Sequence, residues 1–252
     1  MEDKKHIVAV IQARIGSSRL PNKVMKEVDG KPLIGYLIER LSLAKHIDKI
    51  VLATSTNQEN DGLAKYVESL GIDVFRGDEN DVLSRFQQVA KRYNATDIVR
   101  ITGDSPLLDP EICDDLITYY LENKLDYAFL SERFCEGVDC EVVSSSALLK
   151  LEDYALKPSH HEHVTLYIYQ HPELFNFSFL ENGSDDAKYR FTVDNKEDLF
   201  VVTHILQDMN KTNCFYSTQK VKCFLDKNPE VSNVNSHIVR NEGLAISLDS
   251  EK

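Results

Sequence analysis

The longest apolar runs in these 252 residues are strand-length, well short of the roughly 20 residues a membrane-spanning helix requires. The charged start Met1-Glu-Asp-Lys-Lys-His6 lacks the apolar segment of a secretory signal, so a cytoplasmic location and no membrane partner are expected. Cysteine is sparse and badly spaced for cross-linking. The five cysteines, at 113, 135, 140, 214 and 223, are odd in number and form no C-x-x-C pair, so reduced thiols are expected rather than a disulfide or zinc framework. The three histidines at 160, 161 and 163 do not form H-E-x-x-H. Neither G-x-x-x-x-G-K-[ST] nor G-x-G-x-x-G occurs, which leaves a P-loop NTPase and a standard dinucleotide site unsupported. Internal repeats and low-complexity linkers are also missing.

Acid is absent where base collects. From Lys4 to Lys26 there are six Lys or Arg residues and no Asp or Glu, in a chain of net charge −12. An apolar strand, Ile7 to Ile11, runs into a loop that offers Ala13, Arg14, Gly16, Ser17, Ser18, Arg19 and Lys23, with Pro21 stiffening the exit. Small residues uncover backbone N–H groups and Arg can grip two oxygens at once, so the loop suits phosphate. A basic island in an acidic protein points to a small anionic ligand and away from nucleic acid, which calls for a basic face. The competing reading is a solvated charged loop. Its position directly after a buried-type strand favours the ligand, because α/β folds bind there.

Downstream, strand and helix patterns alternate four times. Leu33, Ile34, Leu37, Ile38 and Leu41 mark a helix, 48–55 a strand, Leu63, Tyr66, Val67 and Leu70 a helix, and 72–75 a strand. Val82 to Tyr93 reads as a third helix and Asp97 to Thr102 as a fourth strand. The alternation predicts an α/β fold, a mostly parallel sheet between two helical layers, with ligands at the carboxyl ends of its strands. Asp104 follows the fourth strand at that edge. It reads equally as a turn former before Ser105-Pro106 and as a Mg²⁺ ligand, and the nearby phosphate loop favours the metal.

After a helix over 112–121 the alternation breaks. Asp139 and Glu141 alternate with Val138, Cys140 and Val142, so both carboxylates share one strand face, either as the wet side or as a grip on sugar hydroxyls or a cation. Ser159 and Glu162 have capping-box spacing, and one of the neighbouring histidines is expected to touch substrate. Residues 175–179 read as a strand, and Tyr189 to Asp194 as a strand leading into a helix from Lys196 to Asp208. Asp194 with Glu197 fits a capping box, and its place at a strand end also suits a second magnesium ligand.

Several of these stretches together resemble a known family. They are Ile11-Gln-Ala-Arg-Ile-Gly-Ser-Ser-Arg-Leu-Pro-Asn-Lys23, Ala53-Thr-Ser-Thr56, Phe75-Arg-Gly-Asp-Glu-Asn-Asp-Val-Leu-Ser-Arg-Phe86, Arg100-Ile-Thr-Gly-Asp-Ser-Pro-Leu107, Glu162-His-Val-Thr165, Phe191-Thr-Val-Asp194 and the closing Arg240-Asn-Glu-Gly243. The chain is similar to the cytidylyltransferases that include spore coat polysaccharide biosynthesis proteins, relatives of the enzymes that activate 3-deoxy-manno-octulosonate and acylneuraminate. The resemblance implies a Rossmann-like, nucleotide-diphospho-sugar transferase-like sheet forming a single domain over 1–252. It implies that 128–190 is an insertion making the acceptor pocket and a homodimer interface.

It further implies that Arg14, Ser17, Arg19 and Lys23 line the triphosphate of CTP, that Asp104 and Asp194 hold Mg²⁺, and that Ala53, Thr54 and Arg76 lie near the cytosine. Asp139, Glu141, Glu162, His163 and Arg190 fall in the acceptor region, and Arg14, Lys23 and Asp104 are the expected catalytic residues. The implied reaction is transfer of CMP from CTP to a sugar acid, sugar phosphate or similar small acceptor, with pyrophosphate released, in surface glycan or capsule biosynthesis. Gly-Asp-Ser-Pro at 103–106 and Glu-His-Val-Thr at 162–165 depart from the octulosonate and neuraminate enzymes, so their acceptors do not transfer. The rival readings are a nucleotide-sugar-dependent glycosyltransferase, which often carries a D-x-D that this chain lacks, and a non-catalytic nucleotide-binding module.

Overall fold

The computed structural model describes residues 5–17, 19–154, 157–240 and 248. In chain order the strands are β1 (Ile7–Gln12), β2 (Glu27–Val28), β3 (Lys31–Pro32), β4 (Lys49–Ser55), β5 (Asp73–Gly77), β6 (Asp97–Thr102), β7 (Tyr127–Leu130), β8 (Cys140–Ser144) and β9 (Phe177–Leu180). The helices are α1 (Leu33–Leu41), α2 (Asp61–Ser69), α3 (Val82–Arg92), α4 (Pro110–Glu122), α5 (Ser145–Lys150), α6 (Pro158–Glu162), α7 (Leu166–Gln170), α8 (Lys196–Thr212), α9 (Thr218–Lys227) and α10 (Pro229–Ser232). The four alternating strand–helix units expected from periodicity are all present.

Seven strands form one sheet in the order β5-β4-β1-β6-β8-β7-β9, and β2 pairs with β3 in a separate hairpin. Every neighbouring pair is parallel except those involving β8, which runs against both β6 and β7. The two faces of β1 show why the sheet is buried on both sides. Ile7, Ala9 and Ile11 pack against α1, α2, α4, α8 and α9. Val8 and Val10 pack against α3, α5 and the α6–α7 region. A strand with no polar face belongs between two helical layers. The chain moves from β1 outward to β4 and β5, then returns to place β6 on the other side of β1, so the crevice beyond the ends of β1 and β6 is a topological switch point.

Residues 128–190 contribute β8, β9 and most of β7 to this same sheet, with α5, α6 and α7 packed beside them. Three local expectations are corrected. The segment 189–194 is extended but is no strand: its only bridge pairs Arg190 with Glu136, and its other backbone bonds go to loops, Val193 N–H donating to the Asp104 carbonyl. The capping box of α8 is made by Asn195 and Asp198, one residue beyond Asp194 and Glu197. Helix α6 starts at Pro158 with Lys157 as its cap, so Ser159 lies inside the helix and no box forms with Glu162.

Candidate active site

The loop after β1 folds largely on itself. Ser17 N–H and Asn22 N–H both donate to the Ile15 carbonyl, and Asn22 takes a left-handed conformation that turns the chain into Lys23. Buried Asn60 fixes the loop from outside by accepting from Ile15 N–H at 2.9 Å. The Ser17 and Asn22 N–H groups are thus committed inside the loop and are not presented to a ligand. Ser18 lies outside the described residues.

Lys23 ends the loop at the switch point. Its ammonium donates to Asp104 Oδ2 at 2.9 Å and to Asp194 Oδ1 at 2.7 Å, and Arg19 reaches the same Asp194 oxygen at 3.1 Å. Two backbone ties make the convergence. Gly103 N–H donates to the Gln12 carbonyl, joining the ends of β1 and β6, and Val193 N–H donates to the Asp104 carbonyl, drawing Asp194 alongside. Gly103 is needed because a Cβ there would stand 2.7 Å from Ala13 Cβ and 3.2 Å from the Gln12 carbonyl oxygen. Burial pulls the Lys23 pKa down, but the two carboxylates outweigh it and leave the ammonium above its usual range. Burial likewise opposes ionisation of Asp104, and Lys23 with the Thr102 hydroxyl overcomes it, holding the carboxyl below its usual value. Two carboxylates beside a phosphate-type loop are the hard oxygen donors that Mg²⁺ takes, and the Lys23 ammonium lies between them as a cation would.

Arg14 points elsewhere. It pairs with Glu79 Oε1 at 3.0 Å, and Asn57 donates to the other oxygen of that carboxylate. Arg85, almost fully buried, donates to the carbonyls of Asp78 and Glu79 and so fixes the turn carrying Glu79. Arg76 binds the Ser55 and Asn57 carbonyls and Asp61, shaping the segment after β4. Ala53 and Thr54 are sealed within the sheet, with no side-chain surface for a base to touch. Any part they play in nucleotide binding runs through the shape of this segment.

Beside the Lys23 cluster opens a cavity of about 480 Å³. This is within the range of small-molecule sites. Arg19, Asp104 and Asp194 are among its walls, and Asp139, Glu141, His163 and Arg190 line it as expected, whereas Glu162 is not among its walls. Sequence reasoning missed Arg100, whose guanidinium donates to Glu141 at 2.9 Å, while Thr165 donates to the same oxygen at 2.8 Å. Arg100 and Glu141 face each other in the β6–β8 register. A cross-strand charge pair could have been sought once that pairing was known. Arg190 is anchored by both oxygens of Asp198 at 2.8 and 2.9 Å and also pairs with Glu136. Asp198 in turn accepts from Asp194 N–H, Asn195 N–H and Asn235. Arg190 is thus first a brace for the Asp194 turn.

A cytidylyltransferase family profile matches residues 8–221. The chain is 37% identical over 234 residues to an uncharacterized protein of Methanocaldococcus jannaschii, spanning 92% of this chain and 95% of that one. It is 34% identical over 233 residues to the spore coat polysaccharide biosynthesis protein SpsF of Bacillus subtilis, covering 90% and 96%. Among solved structures, a cytidylyltransferase from Leptospira borgpetersenii serovar Hardjo-bovis superimposes with a TM-score of 0.82 at 30% identity, over 90% of this chain and 97% of that one. The match runs through the Lys23 loop, Asp104 and Asp194 alike, and the chain belongs to the cytidylyltransferase family.

Proposed function

We propose that this protein transfers CMP from CTP to a small hydroxylated acceptor of surface-polysaccharide synthesis, releasing pyrophosphate. The observation that carries the reading is the meeting of Lys23, Arg19, Asp104 and Asp194 beside the 480 Å³ cavity. One side of that cluster is the loop for phosphates and the other is room for an acceptor. An acceptor hydroxyl entering from the cavity attacks the α-phosphorus in line, its bond to phosphorus forming as the bond to the pyrophosphate oxygen breaks and its proton passing to solvent. Positioning and charge neutralisation do most of such work.

Arg14, Arg19 and Lys23 supply the neutralising charge, with Lys23 exchanging its carboxylate partners for phosphate oxygens when CTP arrives. Asp104 and Asp194 would hold Mg²⁺, which when bound supplies further charge to the phosphates. The polysaccharide setting follows from the name of the Bacillus subtilis relative. We read the reaction as cytoplasmic, and among the described residues no helix is long and apolar enough to cross a membrane. We also read the protein as a homodimer, on the ground that Tyr169, Leu174 and Phe179 are exposed together around β9, the edge strand of the sheet.

The test is pyrophosphate release from each of the four NTPs with Mg²⁺ and a panel of sugar acids, sugar phosphates, amino sugars and neutral sugars. Release with CTP and one acceptor, and with no other nucleotide, is the expected result. Release that does not depend on an acceptor, or consumption of a nucleotide-sugar instead, overturns the reading. Light scattering of the purified protein at twice the monomer mass is expected, and a monomer at all concentrations overturns the dimer.

A further inference from the structure

We propose that Arg85 is a positioning residue for the nucleotide, holding Arg14 at the phosphate loop through the backbone of Glu79; this rests on the CMP-transfer reading above. The link is one shared oxygen. Arg85 Nη1 donates to the Glu79 carbonyl at 3.1 Å and also to that of Asp78, and Arg14 Nη1 donates to the same Glu79 carbonyl at 3.3 Å. The turn carrying this oxygen is closed by its own residues: Asp78 accepts from Asn80 N–H and Asp81 N–H, and Asp81 caps α3 by accepting from Ser84 N–H. Arg85, near the start of α3, folds back over that turn with its stem against Gly77, where a Cβ would stand 2.9 Å from Arg85 Cγ.

A brace for a turn does not by itself require a buried cation. Arg85 is almost fully buried, and among the described residues it forms no salt bridge and its buried Nε has no hydrogen-bond partner. Holding a charge in this way costs stability that a neutral donor would not. The Arg85 pKa is lowered, first by burial and further by the like charge of Arg14, with Glu79, Asp78 and Asp81 opposing. The fold thus keeps two guanidinium groups close together at one carbonyl. An anion at Arg14 relieves their repulsion, so the arrangement is matched to the nucleotide-bound state. There Arg14 meets phosphate, and the Glu79 carbonyl, fixed from behind by Arg85, keeps its guanidinium aimed. The carbonyl and the carboxylate of Glu79 act differently: the first orients Arg14 and the second occupies it.

The test is calorimetric binding of CTP with Mg²⁺ to the intact protein, to Arg14→Met, to Arg85→Met and to the double variant. Each single substitution is expected to raise the Kd for CTP by about five- to tenfold. The double variant is expected to lie within about twofold of Arg14→Met, because Arg85 acts through Arg14. A brace with no tie to Arg14 would multiply the two losses instead. Arg85→Lys keeps the cation without the reach of the guanidinium; it is expected to raise the Kd by about threefold, again only where Arg14 is present, and it carries the same comparison if Arg85→Met does not fold. Multiplied losses, or a Kd that either single substitution leaves unchanged, overturn the inference and leave CMP transfer standing. Wild-type protein that does not bind CTP overturns the transfer reading, and the inference with it.

Discussion

Lys23 donates to Asp194 across 2.7 Å although 171 positions separate them in the chain. The same ammonium binds Asp104, so one lysine spans the two carboxylates best placed to carry a metal. On the CMP-transfer proposal, replacing Lys23 by Met removes a charge needed at the phosphates, and turnover is expected to fall by about 10²–10³-fold. The Tm is expected to move by only a few degrees. The same variant frees Asp104 and leaves Asp194 paired with Arg19 alone on that oxygen, so calorimetric titration of the nucleotide-free protein should show tighter Mn²⁺ or Mg²⁺ binding than wild type. Unchanged metal affinity would show that Lys23 does not compete for that position.

Arg14 pairs with Glu79 at 3.0 Å, and on the CMP-transfer proposal this carboxylate competes with phosphate oxygens for the same donor. The pair is partly exposed and therefore weak. Glu79→Gln should lower the Kd for CTP by about two- to tenfold with little change in stability, since its net cost to the fold is at most about 1 kcal/mol. Fluorescence or calorimetric binding of CTP checks this, and weaker binding would mean that Glu79 orients Arg14 productively instead.

Asp198 gives the clearest pH dependence. It is fully buried, and although burial opposes its ionisation, Arg190 and Asn235 hold its carboxyl below the usual 3.8. A carboxyl lowered on folding adds stability above its unfolded value and loses it as pH falls through the lowered one. Asp198→Asn leaves Arg190 without its bidentate partner, at a cost of about 3–5 kcal/mol. The gap between wild type and variant, measured by urea unfolding, should be level from about pH 5 to 8 and should narrow as pH falls below about 4.

Gly103 sits where β6 meets the phosphate loop, and an added methyl would lie 2.7 Å from Ala13 Cβ. Overpacking at such a contact costs about 1–3 kcal/mol. Because the displaced segments carry Lys23 and Asp104, Gly103→Ala is expected to lower kcat more than its stability loss explains. Rates measured well below the variant's melting range check that separation.

Much of this was readable from local pattern. Ile7 to Ile11 is apolar at every position, a strand covered on both faces, and the alternation through Thr102 gave a parallel sheet whose β6 matched to the residue. The small and basic residues between Ala13 and Lys23 marked the candidate phosphate loop by composition alone, and Asp104 was placed by its strand end. Capping assignments slipped by a residue because Asp194, Asn195, Glu197 and Asp198 all suit a helix start, and only the folded chain shows which carboxylate meets which N–H.

What tertiary structure decided was pairing. No spacing rule connects Lys23 to Asp194, Arg14 to Glu79 or Arg100 to Glu141, because each contact is made by strand order and loop closure over long separations. It also decided that 189–194 bonds to loops instead of joining the sheet, and that Thr54 is sealed beneath the site. Periodicity and composition act within a few residues and so determined the elements and the basic character of the loop at the edge of the sheet. The cavity's pairing of acid and base exists only once distant segments have been folded against one another.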